Sequence, residues 1–498
     1  MGTDRQGLEL TGPGGAVAAY DRAVAHLVRF QPEVGPGADA AAAGGCLMGR
    51  VLGAYLSLLS TEAGTVAAAA RALGPYATRT ADESGLRPRE RAHLAVARRW
   101  IAGDLAGAGA LLSAVSVEFP HDLLALFTGH QIDFFRGDAV SLRDRIGRAL
   151  GDWDPAAGDA GFLHGMYAFG LEECNQYGQA AQAGARAVDA NPDDVWAIHA
   201  VVHTYEMQGQ IPDGVRFMRS RRPAWAEGNF LNVHNAWHYA LYLLQADDQP
   251  GALSVYDTFL HHPASEDAAL ELLDASALLW RLHLEGVPAG GRWQPLAEAW
   301  TRVLEPGYYP FNDMHAIMAY LGAGDAARAR AVLTALERVA RGGDRRTTGW
   351  EMTVTVGLPV CRSLVHFGAG QYPEVLDELL PIRTRVHEFG GSHAQRDAVE
   401  RTLLEAAVRA GRHKLASALV SERLANRENS TYAWSKRALL LSRLGNAAGD
   451  PAAGPAAAGP AAAGSAAAGP AAAGSAAAEA RRRELAAAIQ IAVADPRP

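Results

Sequence analysis

Two His-x-x-x-His pairs carry the chemistry this sequence offers: His199/His203 in AIHAVVHTYEMQG and His234/His238 in FLNVHNAWHYALYLLQ. Residues four apart on an α-helix lie one turn apart on one face, so each pair presents two imidazoles together. Two such rings can share a metal ion, and carboxylates complete sites of that kind. Glu206 follows His203 by three positions and shares its face, and Asp274 takes the corresponding slot of the next unit, shifted by one residue. His199, His203, Glu206, His234, His238 and Asp274 are therefore the candidate catalytic residues. The four histidines among them are the candidate ligands of a divalent metal. Imidazoles buried beside carboxylates acquire shifted pKa values, which suits general acid–base work with or without a metal. HAVVH lacks the glutamate of HExxH, so metalloprotease chemistry has no support.

A second set of residues suits an anion or another polar ligand. Trp280-Arg281 and Arg292-Trp293 place a guanidinium beside an indole. That planar fork can hold a carboxylate or phosphate; as a structural alternative, the Arg pairs with Asp274 or Glu285. GGSHAQRD, residues 390–397, opens a helix with Ser392 as N-cap and Gln395 three positions on. His393, Arg396 and Asp397 then project towards a central groove. Asp313 and His315 approach the same centre if the chain curls round. Arg281, Asp313, His315, His393 and Arg396 are thus the candidate ligand-binding residues. Nucleophilic catalysis has little support. Cys174 follows Glu172-Glu173, which raises a thiol pKa, Cys361 lies among apolar residues, and neither GxSxG nor a P-loop occurs.

The elements that must position these groups follow from the spacing. The two pairs lie 35 residues apart, from 199 to 234 and from 203 to 238, which is the period of a helical-repeat protein. From Val17 onward the chain is rich in Ala and Leu with helical periodicity, broken by short turns such as ANPDD, GQIPDG and DDQPG. Amphipathic segments joined by such turns predict antiparallel helix pairs. Against the tetratricopeptide pattern W-x2-L-G-x2-Y, His fills the Trp position at His93, His130, His164, His199, His234 and His315. The Gly position becomes His203, His238 and Asp274 in three consecutive units. The predicted fold is all-α, a right-handed solenoid of degenerate tetratricopeptide-like helix pairs over residues 17–445. His93, His130, His164 and His315 taken singly read as packing groups. The 199–274 cluster supports both a shared site and a polar packing seam.

Residues 1–16 read as a flexible leader. Residues 446–478, with Gly or Pro every few positions and almost no large apolar side chain, read as a disordered spacer. Residues 479–498 read as a short closing helix and tail. The net charge of −8 is spread along the chain, without the basic stripe of a nucleic-acid binder. No run approaches the ~20 apolar residues needed to cross a bilayer. The first residues lack the apolar core of a signal peptide, and the three cysteines form no CxxC pattern. A cytoplasmic protein is expected.

The chain resembles the tetratricopeptide repeat protein 38 family from about residue 17 to about 440. The resemblance rests on RERAHLAVA at 89–97, HGMYAFGLEE at 164–173, HAVVHTYEM at 199–207 and HNAWHYALYLL at 234–244. Further segments are LLWRLHLEGV with GRW at 278–293, FNDMHA at 311–316, GLPVC at 357–361 and GGSHAQRD at 390–397. It implies an all-helical solenoid of degenerate repeats and brings no established activity; the 446–478 tract departs from it. Two functions fit the sequence. One is a His/Asp/Glu/Arg-lined pocket that binds and transforms a small polar ligand. The other is a non-catalytic scaffold that holds a peptide or partner protein in its concave groove. The concentration of unusual polar residues in the middle repeats favours the first.

Overall fold

The computed structural model describes residues 2–448 and 470–495, and its regular structure is almost entirely α-helix. The one sheet among the described residues is a small hairpin, Gly2–Thr3 antiparallel to Glu9–Leu10. The leader is therefore docked rather than loose. Arg89 is buried, and a buried guanidinium requires a carboxylate; Asp4 supplies one at 2.6 Å. Leu10 is fully buried, and Thr11 donates from both its N–H and its hydroxyl to Glu90 at 2.7 Å.

Four helices position the candidate site: Ala160–Glu173, Val195–Met207, Asn232–Gln245 and Ala269–Leu284. Each is followed by a second helix: Tyr177–Ala190, Ile211–Ser220, Gln249–Val255 and Trp293–Val303. Helices pack mainly on their neighbours in sequence, each against the next one or two. The Val195 helix starts where Asp194 caps the backbone N–H groups of Trp196 and Ala197 at 3.0 Å. It stops at Gly209, whose φ of +67° suits a residue without Cβ. Gly165 lets the Ala160 helix approach closely, since a Cβ there would lie 3.1 Å from that of Ala197. That close approach brings Glu172 and His203 within reach of each other.

The chain also closes on itself. Gly103 accepts from Thr348 N–H at 3.0 Å, Phe135 from the Tyr309 hydroxyl at 3.0 Å, and Thr61 from the Asn312 amide at 3.1 Å. The His393–Arg409 helix, opened by the expected Ser392/Gln395 capping box, lies against the site helices. Trp280 donates to Thr402 at 2.9 Å, Arg281 to the Ala394 carbonyl at 2.6 Å, and His393 N–H to Glu173 at 2.8 Å. The GLPVC segment leads into a further helix pair, Leu358–Gly368 and Tyr372–Leu379.

At the far end, residues 449–469 of the expected spacer lie outside the described residues. Its remainder from 470 is not disordered: Pro470–Ala494 forms one helix. Packing on the Thr431–Ala448 and Ile211–Ser220 helices buries Ala478, Ala486, Ile489 and Ala492. Tertiary contact there outweighs the poor intrinsic helix propensity of Gly and Pro. Among the described residues, no helix is long and apolar enough to cross a membrane.

Candidate metal centre

The four histidines of the two pairs meet. Ring centroids lie 4.4 Å apart for His199–His203 and for His203–His238, 4.9 Å for His234–His238 and 4.8 Å for His199–His234. One nitrogen from each ring lies within 4.8 Å of one from every other. His199, His203 and His238 are buried, and only His234 reaches solvent, with 20% of its side chain exposed. Phe169, Trp196 and Trp237 wall the cluster, with centroids 4.8–5.1 Å from the nearest imidazoles.

Carboxylates fix two of the rings. His234 Nδ1 lies 2.7 Å from Asp274 and His238 Nδ1 lies 3.1 Å from Glu206. A hydrogen on each Nδ1 directs the Nε2 lone pair inward, the orientation that outer carboxylates impose on metal-ligating histidines. His234 Nε2 and His199 Nε2 are 3.0 Å apart. Two nitrogens at about 2.0–2.1 Å from one ion stand roughly 3.0–3.4 Å apart. Burial, followed by the neighbouring imidazoles, pushes His199, His203 and His238 well below the usual histidine pKa; for His238, His234 and Arg281 add to burial. These rings are held neutral, the form that ligates metal.

Several buried polar atoms here have no protein partner: His199 Nδ1, both nitrogens of His203, His238 Nε2, and both carboxyl oxygens of Glu172. Each such atom costs about 1–3 kcal/mol. Together they consume an amount comparable to the roughly 5–15 kcal/mol that holds a whole domain folded. His130 Nε2 and His315 Nε2 are likewise buried without a partner, but each is a single atom rather than one of a cluster.

Other predicted residues fall in different places. Arg281 lies by the cluster, 5.4 Å from the Trp237 ring, but pairs with neither Asp274 nor Glu285. It donates to the Ala277 and Ala394 carbonyls and faces Asp397 at 4.0 Å. Burial pulls it down to about 10. Glu285 instead pairs with Arg401. Arg396 and His393 reach the cluster's edge through Glu173: Arg396 donates to it at 2.9 Å and the His393 backbone N–H at 2.8 Å. Asp313 and His315 do not join the centre. Asp313 accepts from Gly307 N–H at 2.9 Å and burial pushes it up to about 8. His315 Nδ1 bonds the Phe311 carbonyl of its own helix at 2.8 Å. Arg292 forms an exposed pair with Asp257. Burial raises the Cys174 and Cys361 thiols. His93 and His130 sit in the slots expected for packing histidines, against Tyr55 and Asp122 and against Phe169 and Trp196.

Glu172, which belongs to neither His-x-x-x-His pair, also faces the cluster. It lies 3.6 Å from His203 Nδ1, fully buried, and burial with Glu173 beside it pushes its carboxyl well above the usual range. Glu172 and Glu206 are 34 residues apart, one short of the 35-residue spacing of the histidines, so the repeat register places Leu171 rather than Glu172 in the slot of Glu206. No protein-family model matches this chain.

Proposed function

We propose that this chain is a tetratricopeptide-like solenoid protein, of the kind its resemblance to the tetratricopeptide repeat protein 38 family implies. In this reading it holds a divalent transition metal on His199, His203, His234 and His238. The metal lies beside Asp274, Glu206 and Arg281, and the centre binds and transforms a small polar ligand in a cytoplasmic setting. One observation carries the reading: three buried imidazoles and the half-buried His234 converge, with four of their eight nitrogens unpartnered. All-nitrogen ligation suits Zn, Cu, Fe or Ni. Four imidazoles close a tetrahedral zinc site, whereas an ion of higher coordination number keeps a position for ligand. Such an ion polarises a bound oxygen or acidifies a bound water. His234, the one partly exposed ring, marks the side from which ligand arrives. The scaffold reading has less to rest on, because the His393–Arg409 helix already packs against the face a peptide would use.

Metal analysis of the purified chain tests the proposal. Bound metal is expected in the wild type and lost in His199→Ala and His238→Ala, with far-ultraviolet circular dichroism unchanged. Metal-free wild type, or variants that lose fold and nothing else, would sink it.

A further inference from the structure

His203 differs from the other three rings: both of its nitrogens are buried without a partner. Nδ1 faces Glu172 Oε2 at 3.6 Å, too far for a hydrogen bond. Glu172 closes the Ala160–Glu173 helix, is fully buried, and has no partner on either oxygen. Its neighbour Glu173 points the same way, with one oxygen on His393 N–H at 2.8 Å and the other on Arg396 at 2.9 Å. Coordinating atoms of Glu172, Glu173 and His203 fall within 4.8 Å of one another. The helix that carries Glu172 abuts the helix that carries His203, so this triad shares a wall with the four-histidine cluster.

We propose that a second divalent cation binds between Glu172, Glu173 and His203, making the centre a two-ion site with His203 between the positions. This inference rests on the four-histidine reading. Carboxylate oxygen and one imidazole form a harder donor set than four imidazoles, so the two positions differ in metal preference. His203 has an unpartnered nitrogen for each position. Ligation through both nitrogens would require the His203 ring proton to pass to solvent. The Glu172 carboxylate would offset part of the charge of the second ion. Arg396 and the His393 N–H hold Glu173 in place, which leaves Glu172 as the carboxylate free to move onto the ion. A two-ion centre can hold both the attacking and the departing oxygen of a transferring group, so the ligand class is an oxygen-rich ester, amide or phosphoryl compound.

Cobalt(II) titration of the metal-free full chain, read by equilibrium dialysis and by visible absorption, separates the positions. Wild type should take up two ions per chain. Glu172→Gln should take up one and keep the absorption of the nitrogen-ligated ion. His234→Ala should also take up one, with that absorption lost, while Glu172→Asp should regain part of the second uptake. Thermal melting of each metal-free variant confirms that it folds. One ion in wild type with Glu172→Gln unchanged would overturn the second position and leave the four-histidine site standing. Two ions in Glu172→Gln would place the second ion elsewhere and overturn it equally. No ion in any variant would overturn both readings.

Discussion

His93 and His199 occupy the same position of the repeat pattern and are both buried, yet their surroundings differ in kind. Around His93 every charge is answered. Its Nδ1 meets the Tyr55 hydroxyl at 2.9 Å and its Nε2 meets Asp122 at 2.8 Å. Asp122 also accepts from Arg89 at 2.6 Å, and Arg89 reaches Asp4 at 2.6 Å. Burial opposes the charge on Asp122, but Arg89 and His93 hold its carboxyl well below the usual range. Around His199 the rings face one another, and His199 Nδ1, both His203 nitrogens and His238 Nε2 lack partners. Burial selects hydrogen-bonded polar groups when stability is the only demand. The contrast separates a satisfied packing network from a cluster with several unpartnered nitrogens, the feature on which the metal proposal rests.

That contrast can be broken in several ways. The largest effect is expected at the satisfied network. Asp122→Ala leaves Arg89 and His93 short of their shared carboxylate and should cost about 3–5 kcal/mol in denaturant unfolding, with metal content unchanged. Parity between Asp122→Ala and His203→Phe in the metal-free state would erase the distinction. His203→Phe removes two unpartnered nitrogens and keeps the ring, so its metal-free stability should match or exceed wild type. Chelation comes next. At free metal one hundred times Kd, the ion stabilises the native state by about 2.7 kcal/mol, so chelator should lower the melting temperature of wild type and leave His203→Phe unmoved.

Acid should act in the same direction with a smaller increment. His199, His203 and His238 have native pKa values below the unfolded value of about 6.5. The unfolded chain therefore binds more protons as pH falls below about 6.5, and metal-free stability is lost in that window and downward. Each such ring contributes up to about 1.4 kcal/mol per pH unit. His238→Phe should flatten the stability–pH slope below pH 6 by that increment, and an unchanged slope would show that the ring is not held neutral. The smallest effect is expected at Arg292, whose pair with Asp257 is open to solvent. Arg292→Ala should change stability by less than about 1 kcal/mol and leave metal uptake intact; a loss of metal would place the centre wrongly.

Helical periodicity, turn chemistry and the 35-residue spacing were enough to predict an all-helical chain and to bring His199, His203, His234 and His238 onto adjacent helices. Those are local and nearest-neighbour properties: four-residue spacing sets a face, and one repeat sets the next helix. Asp274 and Glu206 were legible for the same reason, and each supports a ring from an adjacent helix. Asp313 and His315 were not, because their inclusion needed a particular curvature, and each instead makes one hydrogen bond to nearby backbone and leaves its other polar atom unpartnered. The leader was misread because nothing in residues 1–16 announces that Arg89, 85 residues beyond Asp4, needs a second carboxylate.

Residue order alone thus settled which side chains share a helix face and which helices are neighbours. Three-dimensional packing decided the rest: that the chain closes on itself, that the His393–Arg409 helix lies over the site, and that Glu172 faces His203 without a partner. The physical reason is range. Helix periodicity acts over a few residues, whereas satisfaction of a buried polar atom depends on whatever the whole fold brings to within about 3 Å of it.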